Sequence, residues 1–206
     1  MQNWELGTSF YVLAISAWIW NLLLPARFLT VPQAFAIAGR RKKLLIHNYI
    51  SSAKVNLGLQ ILNKREDGYH NLHSLFIEID LADELIFTPS DEFHITIEGK
   101  DCAEIPLDES NLITKSYRLF QSMMKSVPTE YAIHLKKIIP VGRGLGGGSS
   151  NAANILKALN ELWKLNYSSN KLETLGAQLG ADVPFFIRGG FQLAEGIGEK
   201  LTPQDN

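Results

Sequence analysis

The sequence has a single cysteine, Cys102, among 206 residues, which excludes an internal disulfide framework and any cysteine-based zinc site. A lone thiol of this kind reads as a small buried hydrophobe, and it fits a reducing, cytoplasmic setting. Charge of one sign is also lacking. Against 20 Lys and Arg stand 21 Asp and Glu, so no global basic field exists to grip a nucleic-acid backbone, and nucleic acid is not expected as a partner. No internal repeat and no low-complexity segment interrupts the chain. What is present is 46% hydrophobic residues, enough for one good core and too little chain for two large domains.

The balanced charge hides a division. Residues 1–50 carry Arg27, Arg40, Arg41, Lys42 and Lys43 against Glu5, while residues 51–206 hold 15 basic and 20 acidic side chains. Between Glu5 and Arg27 lie 21 uncharged residues, Leu6 to Ala26, long enough as a helix to extend roughly 32 Å. It is a poor membrane span, because Thr8, Ser9, Ser16, Asn21 and Pro25 interrupt it and Glu5 precedes it where a signal peptide is basic. Residues 1–48 therefore read as an extension, apolar then basic, that either is not native or serves as a weak anchor with the remainder on the cytoplasmic side. Residues 49–206 read as the globular domain.

That domain has α/β character. Tyr49 to Ile61 alternates with Val55, Leu57, Leu59 and Ile61 in phase, which predicts a strand with those four side chains buried and Lys54 on the opposite, cleft-facing side. Glu66-Asp67-Gly68 predicts a turn, and Leu72 to Leu81, Asp83 to Pro89 and Glu92 to Glu98 predict three more strands of an antiparallel meander. Asn111 to Lys125 has helical spacing with Ser110 or Asn111 as cap. A strand follows over Tyr131 to Ile139, then helices over Ser150 to Leu165 and Ser169 to Leu179, the latter ending on a left-handed Gly180, and a strand over Val183 to Leu193. Tyr131, Trp163, Phe185 and Phe186 are expected in the core, and His47, His94 and His134 are read as structural.

The chemistry is concentrated in Pro140 to Asn151, PVGRGLGGGSSN, five glycines between a strand and an amphipathic helix. Glycine allows positive φ and close approach of backbone to a ligand, and the helix start adds free N–H groups and the positive end of a dipole. Such a loop is built to hold an anion, most often a phosphate. Gly142, Gly144 and Gly147 match the letters of a dinucleotide fingerprint, but no second strand with an acidic residue follows at the required distance. No Lys-Ser or Lys-Thr closes the glycines as in a Walker loop, and no HRD or DFG triplet occurs. Backbone amides with the hydroxyls of Ser149 and Ser150 remain, suited to polyphosphate and to helping hold Mg²⁺.

The pattern P-x-x-x-G-L-G-G-G-S-S-N resembles the nucleotide loop of the GHMP small-molecule kinases, the family of galactokinase, homoserine kinase, mevalonate kinase and phosphomevalonate kinase types. SSAKVNLGLQI, KREDGYHNLHSLF, LGADVPFFIRG and AEGIGE extend the resemblance over residues 49–203 and narrow it to the branch that acts on a cytidine-diphosphate-linked alcohol. The resemblance implies the family's α/β (α+β) N-terminal domain, of the ribosomal protein S5 domain 2-like kind, with a second α+β domain beyond the point where this chain stops. It implies ATP and Mg²⁺ as cofactors and a small-molecule substrate, a cytidine diphosphate-linked methylerythritol, phosphorylated on its 2-hydroxyl on the non-mevalonate route to isoprenoid precursors. Another GHMP kinase specificity, or a non-catalytic nucleotide-binding fragment, is the alternative.

By the same resemblance Asp182 in LGADVP is the catalytic aspartate and Lys54 in SSAKVN the catalytic lysine. Asn56 contacts the substrate hydroxyl. The nucleotide loop comprises Pro140, Val141, Gly142, Arg143, Gly144, Leu145, Gly146, Gly147, Gly148, Ser149 and Ser150. Tyr69 and His70 in DGYHNLHS hold the cytidine, by stacking and by an imidazole hydrogen bond. His70 and His73 have H-x-x-H spacing, but with no further ligand type nearby no metal site is expected from side chains there. Ser52 replaces a usual proline and Arg143 a usual small residue, and neither change removes a functional group.

Overall fold

The computed structural model describes residues 45–100, 102–198 and 200–204, all within one compact unit, Leu44–Asn206. The expectations for Leu6 to Ala26 lie outside the described residues. Among the described residues no helix is long and apolar enough to cross a membrane.

Strands β1 (His47–Lys64) and β2 (His70–Ser90) form a long antiparallel hairpin. Its turn closes where predicted: Gly68 takes φ +86° and Asp67 Oδ1 accepts the Tyr69 amide at 3.1 Å. The two strands expected over Leu72 to Leu81 and Asp83 to Pro89 are one, interrupted by a bulge. Ser52 faces Ala82 and Ala53 faces Ile79, which leaves Asp80 and Leu81 unmatched. The bulge flips the alternation, so Ser74 and Phe76 are buried before it and Asp83, Leu85 and Phe87 after it.

A second bulge overturns the predicted phase of β1. Asn56 pairs with Phe76 and Gly58 with Leu75, leaving Leu57 unmatched. Leu57, Leu59 and Ile61 are 61%, 56% and 64% exposed, whereas Lys54 is buried. Alternation identifies a strand but not which face a second layer covers, and the helices cover only the inner part of the hairpin.

The meander is also corrected. Strand β3 (His94–Gly99) does not pair with β2; β4 (Glu130–Lys137) lies between them, antiparallel to β2 and parallel to β3. Parallel neighbours need a crossover, supplied here by a 3₁₀ turn at Cys102–Glu104 and helix α1 (Leu112–Ser122). Helix α2 (Gly147–Leu162) follows, then α3 (Ser169–Gly176), α4 (Val183–Arg188), β5 (Phe191–Gly196) and β6 (Lys200–Pro203). β5 pairs with the first half of β2, on the edge whose second half takes β4. The sheet order is β3-β4-β2-β5-β6, with β1 on the other edge of β2.

The core lies between this sheet and α2, whose Ala152, Ala153, Ile155, Leu156, Ala158 and Leu159 are fully buried. Each leucine or isoleucine there contributes roughly 1.5–3 kcal/mol by leaving water. Tyr131, Trp163, Phe185 and Phe186 are core residues as predicted. Where a strand was expected over Val183 to Leu193, the chain first makes α4. Pro184 is acceptable in a helix's first turn, and Gly189 at φ +70° ends it before β5 begins. A uniformly apolar run fits a buried helix as well as a buried strand. Helix α3 ends at Gly176 rather than Leu179, and Gly180 is not among the left-handed glycines.

Candidate active site

The glycine loop joins β4 to α2, and α2 begins within the glycines at Gly147, three residues before the predicted Ser150. Gly146 caps the helix in the left-handed region at φ +70°, where a Cβ would stand 2.7 Å from the Phe186 ring and 3.1 Å from Lys54 Cγ. Only glycine fits there. The first-turn amides of a 16-residue helix, with its dipole behind them, therefore open onto the loop.

Beside the loop is a cavity of about 480 Å³, lined by Pro140 to Ser149, Lys137, Asn151 and Asp182, and on its other wall by Pro106 and Asn111 to Ile113 at the start of α1. Asn111 shapes that wall: its Oδ1 accepts the Ile113 amide at 2.8 Å and its Nδ2 donates to the Pro106 carbonyl at 2.6 Å. Next to it, hydrogen bonds from the Ser110 hydroxyl and amide hold the Asp108 carboxyl below its ordinary range. Ser150 does not line the cavity; it is fully buried, and its Oγ has no hydrogen-bond partner.

Three residues singled out in the sequence come together beside this cavity. Lys54 Nζ is 3.6 Å from Asp182 Oδ2 and donates to Asn56 Oδ1 at 2.7 Å. It also lies 4.4 Å from the centroid of the Phe76 ring. The lysine side chain is 7% exposed and the aspartate 34%, so a buried ammonium is balanced by a carboxylate that still reaches solvent. The Lys54 amide donates to the Leu145 carbonyl at 2.9 Å, tying β1 directly to the glycine loop. Asp182 precedes α4 but makes no capping bond with its side chain, which leaves the carboxylate free to face Lys54. Glu78, opposite Lys54 on β2, accepts the Gly190 amide at 2.9 Å and so holds the far end of α4.

Tyr69 and His70 are not part of this cluster. They sit exposed at the hairpin tip, ten strand positions beyond Lys54, on an arm bent by the bulges in β1. His73 approaches Glu195 instead, Nε2 to Oε1 at 3.7 Å. Among the described residues no three His, Cys, Asp or Glu stand together as a metal site.

The sequence reading missed a buried cluster beneath the loop. Asp83 and Lys137 pair at 2.9 Å with side chains 0% and 5% exposed, and Asn151 Nδ2 donates to Asp83 at 3.1 Å. Both charged residues fall in phase with buried apolar neighbours, Asp83 with Leu85 and Phe87 and Lys137 with Ile133 and Leu135, a signal available in LADELIF and in AIHLKK.

The profile described as GHMP kinases N terminal domain matches residues 111–190, spanning α1, the loop, α2 and Asp182. The 4-diphosphocytidyl-2-C-methyl-D-erythritol kinase of Pseudomonas fluorescens (strain SBW25) is 49% identical over 158 residues, which is 75% of this chain and 53% of that protein. The chain carries a GHMP-kinase N-terminal domain. A protein of the same name from Deinococcus radiodurans is 43% identical over 163 residues, covering 79% of this chain and 53% of its own length. The crystal structure of a 4-(cytidine 5'-diphospho)-2C-methyl-D-erythritol kinase superposes with a TM-score of 0.64 at 40% identity, covering 77% of this chain and 55% of that one. The chain thus spans about half the length of the curated relatives it matches.

ATP and Mg²⁺ are the groups this family implies, and the residues present fit them. The cavity is of ligand size, its floor is backbone N–H with a helix dipole, and Asn151 Oδ1, on its lining, has no partner. The hydroxyl of Ser149, on the same lining, is a hard oxygen donor of the kind that Mg²⁺ takes alongside phosphate oxygens.

Proposed function

We propose that the chain carries the nucleotide half of an ATP-dependent kinase that phosphorylates the 2-hydroxyl of 4-diphosphocytidyl-2-C-methyl-D-erythritol. The observation that carries this reading is the Lys54–Asp182 pair at 3.6 Å beside the glycine cradle, in a chain whose close relatives bear that enzyme's name. Bound ATP with Mg²⁺ supplies the phosphoryl group. The amides of Gly146 to Ser149 hold its phosphates. Asp182, on a fixed backbone and partly open to solvent, accepts the proton of the attacking hydroxyl. Lys54 keeps that carboxylate oriented and offsets charge on the transferring group, and Asn56 holds the lysine's third direction while meeting the substrate hydroxyl. Tyr69 and His70 take the cytidine at the hairpin tip, so the substrate lies along the bent arm of β1.

The test is ADP release from ATP and Mg²⁺, with and without that substrate, in the parent chain and in Asp182→Asn. Substrate-dependent release that drops about 10²–10⁴-fold in the variant, with nucleotide affinity kept, is the expected result. Release that ignores the substrate, or that survives the substitution, counts against the reading. Nucleotide binding without any release would leave a binding module rather than a kinase.

A further inference from the structure

Asp83 is nearly inaccessible and yet receives hydrogen bonds from both sides of the glycine loop. Its Oδ1 accepts the amides of Ile138 at 2.7 Å and Ile139 at 2.8 Å, the last residues before Pro140. Its Oδ2 accepts Lys137 Nζ at 2.9 Å and Asn151 Nδ2, from the start of the second turn of α2, at 3.1 Å. Lys137 Nζ also donates to the Ile139 carbonyl. A Cβ on Gly147 would stand 3.2 Å from that ammonium, so the charge lies directly under the start of α2. Between these two anchors the loop contains Gly142, Gly144 and Gly146, all at positive φ.

We propose that Asp83 is a positioning residue for the anion cradle, clamping the loop's entry and exit so that its amides converge before a ligand arrives. A glycine-rich loop has much backbone freedom to lose on binding, and pinning both ends removes part of that loss in advance. The ion pair has a second effect. An ionised carboxylate can only accept, so Asn151 must offer it the Nδ2 group, and the unpartnered Oδ1 is left for the cavity. The bulge at Asp80 and Leu81 makes this geometry available by turning Asp83 inward. The inference rests on the reading that the cradle holds nucleotide phosphates, but the clamp itself can be tested without nucleotide.

The test compares Asp83→Asn, Lys137→Met and the double variant of the full chain by thermal melting, by hydrogen exchange of the residue 138–148 amides, and by ADP affinity. Asp83→Asn leaves a buried ammonium unpaired and lowers Tm, whereas the double variant removes both charges and recovers most of that loss. In the double variant the loop amides are expected to exchange at least tenfold faster than in the parent while α1 amides are unchanged, and ADP binding is expected to weaken at least tenfold. A double variant that recovers Tm with parental loop exchange makes Asp83 a structural charge partner and overturns the proposal. One that does not fold overturns it too, because the clamp is then inseparable from the core. A parent that binds no ADP refutes the proposed function while the exchange comparison still decides on the clamp.

Discussion

At the scale of single residues, position in the fold sets the consequence of a change more than residue type does. Gly142 and Gly146 share nearly the same positive φ, but a Cβ at Gly142 meets nothing within 4 Å while one at Gly146 runs into Phe186 and Lys54. Gly142→Ala is therefore expected to cost only the left-handed strain, about 1–2 kcal/mol. Gly146→Ala adds overpacking of about 1–3 kcal/mol and displaces Lys54 from Asp182. Chemical denaturation should rank the two in that order, and only the second should also lose nucleotide affinity. Equal losses would mean that the contact with Phe186 carries no energy. The same reasoning explains what could be read of the site in advance. Lys54, Asn56 and Asp182 sit in short, dense motifs, so the resemblance reached them one by one. Asp83 and Lys137 are charges on inward faces that are otherwise apolar, 54 residues apart in sequence, and only the pairing of β2 with β4 makes them one cluster.

At the scale of elements, the ends are better determined by local chemistry than the partners are. Helix α1 begins where Asn111 says it should, because the side chain replaces a backbone acceptor for Ile113. Asn111→Ala is expected to cost about 1 kcal/mol, a fall in Tm of roughly 2–4 °C for a chain of this length. It also frees the Pro106 carbonyl and with it one wall of the cavity, so adenine-nucleotide affinity should fall alongside Tm. A stable Asn111→Ala protein with parental Tm would show that the bond to Ile113 is replaced by water at no cost. By contrast, the sheet partner of β3 and the helical state of α4 depart from the sequence reading for one reason. Period and hydrophobicity describe one segment, whereas pairing and helix-or-strand choice in a short apolar run depend on what packs against it.

At the scale of the whole molecule, the tyrosines at the seam between the sheet and its helices make the fold sensitive to alkali. Burial and the Glu161 carboxylate push Tyr49 up to about 12, and burial with Glu130 pushes Tyr117 up further. Tyr131 is raised by burial alone. A phenol whose folded value lies above its unfolded value of about 10 stabilises the fold fully below that value and loses the contribution as pH rises through the folded one. Lys157, lowered by burial, acts oppositely: the fold recovers stability as pH rises from its lowered value towards 10.5. Tm is thus expected to hold up to about pH 10 and to fall beyond it. Tyr117→Phe should melt lower at neutral pH, because Glu130 Oε2 and the Tyr131 amide lose the hydroxyl they share, but show a shallower alkaline fall. An alkaline slope as steep as the parent's would place the sensitivity elsewhere.

Local sequence alone determined the hairpin and its turn, the cap of α1, the amphipathic α2, the run of glycines between β4 and α2 and, through motif resemblance, the residues Lys54, Asn56 and Asp182 that meet beside it. Those properties depend on neighbours within a few positions, where backbone freedom, alternation and helical spacing act directly. Tertiary structure alone decided that β4 separates β2 from β3, that the bulges turn Asp83 inward and Leu59 and Ile61 outward, and that a buried ion pair braces the loop from below. Each of these requires segments far apart in the chain to meet, and the burial that selects such a meeting is a property of the packed layers rather than of any one segment.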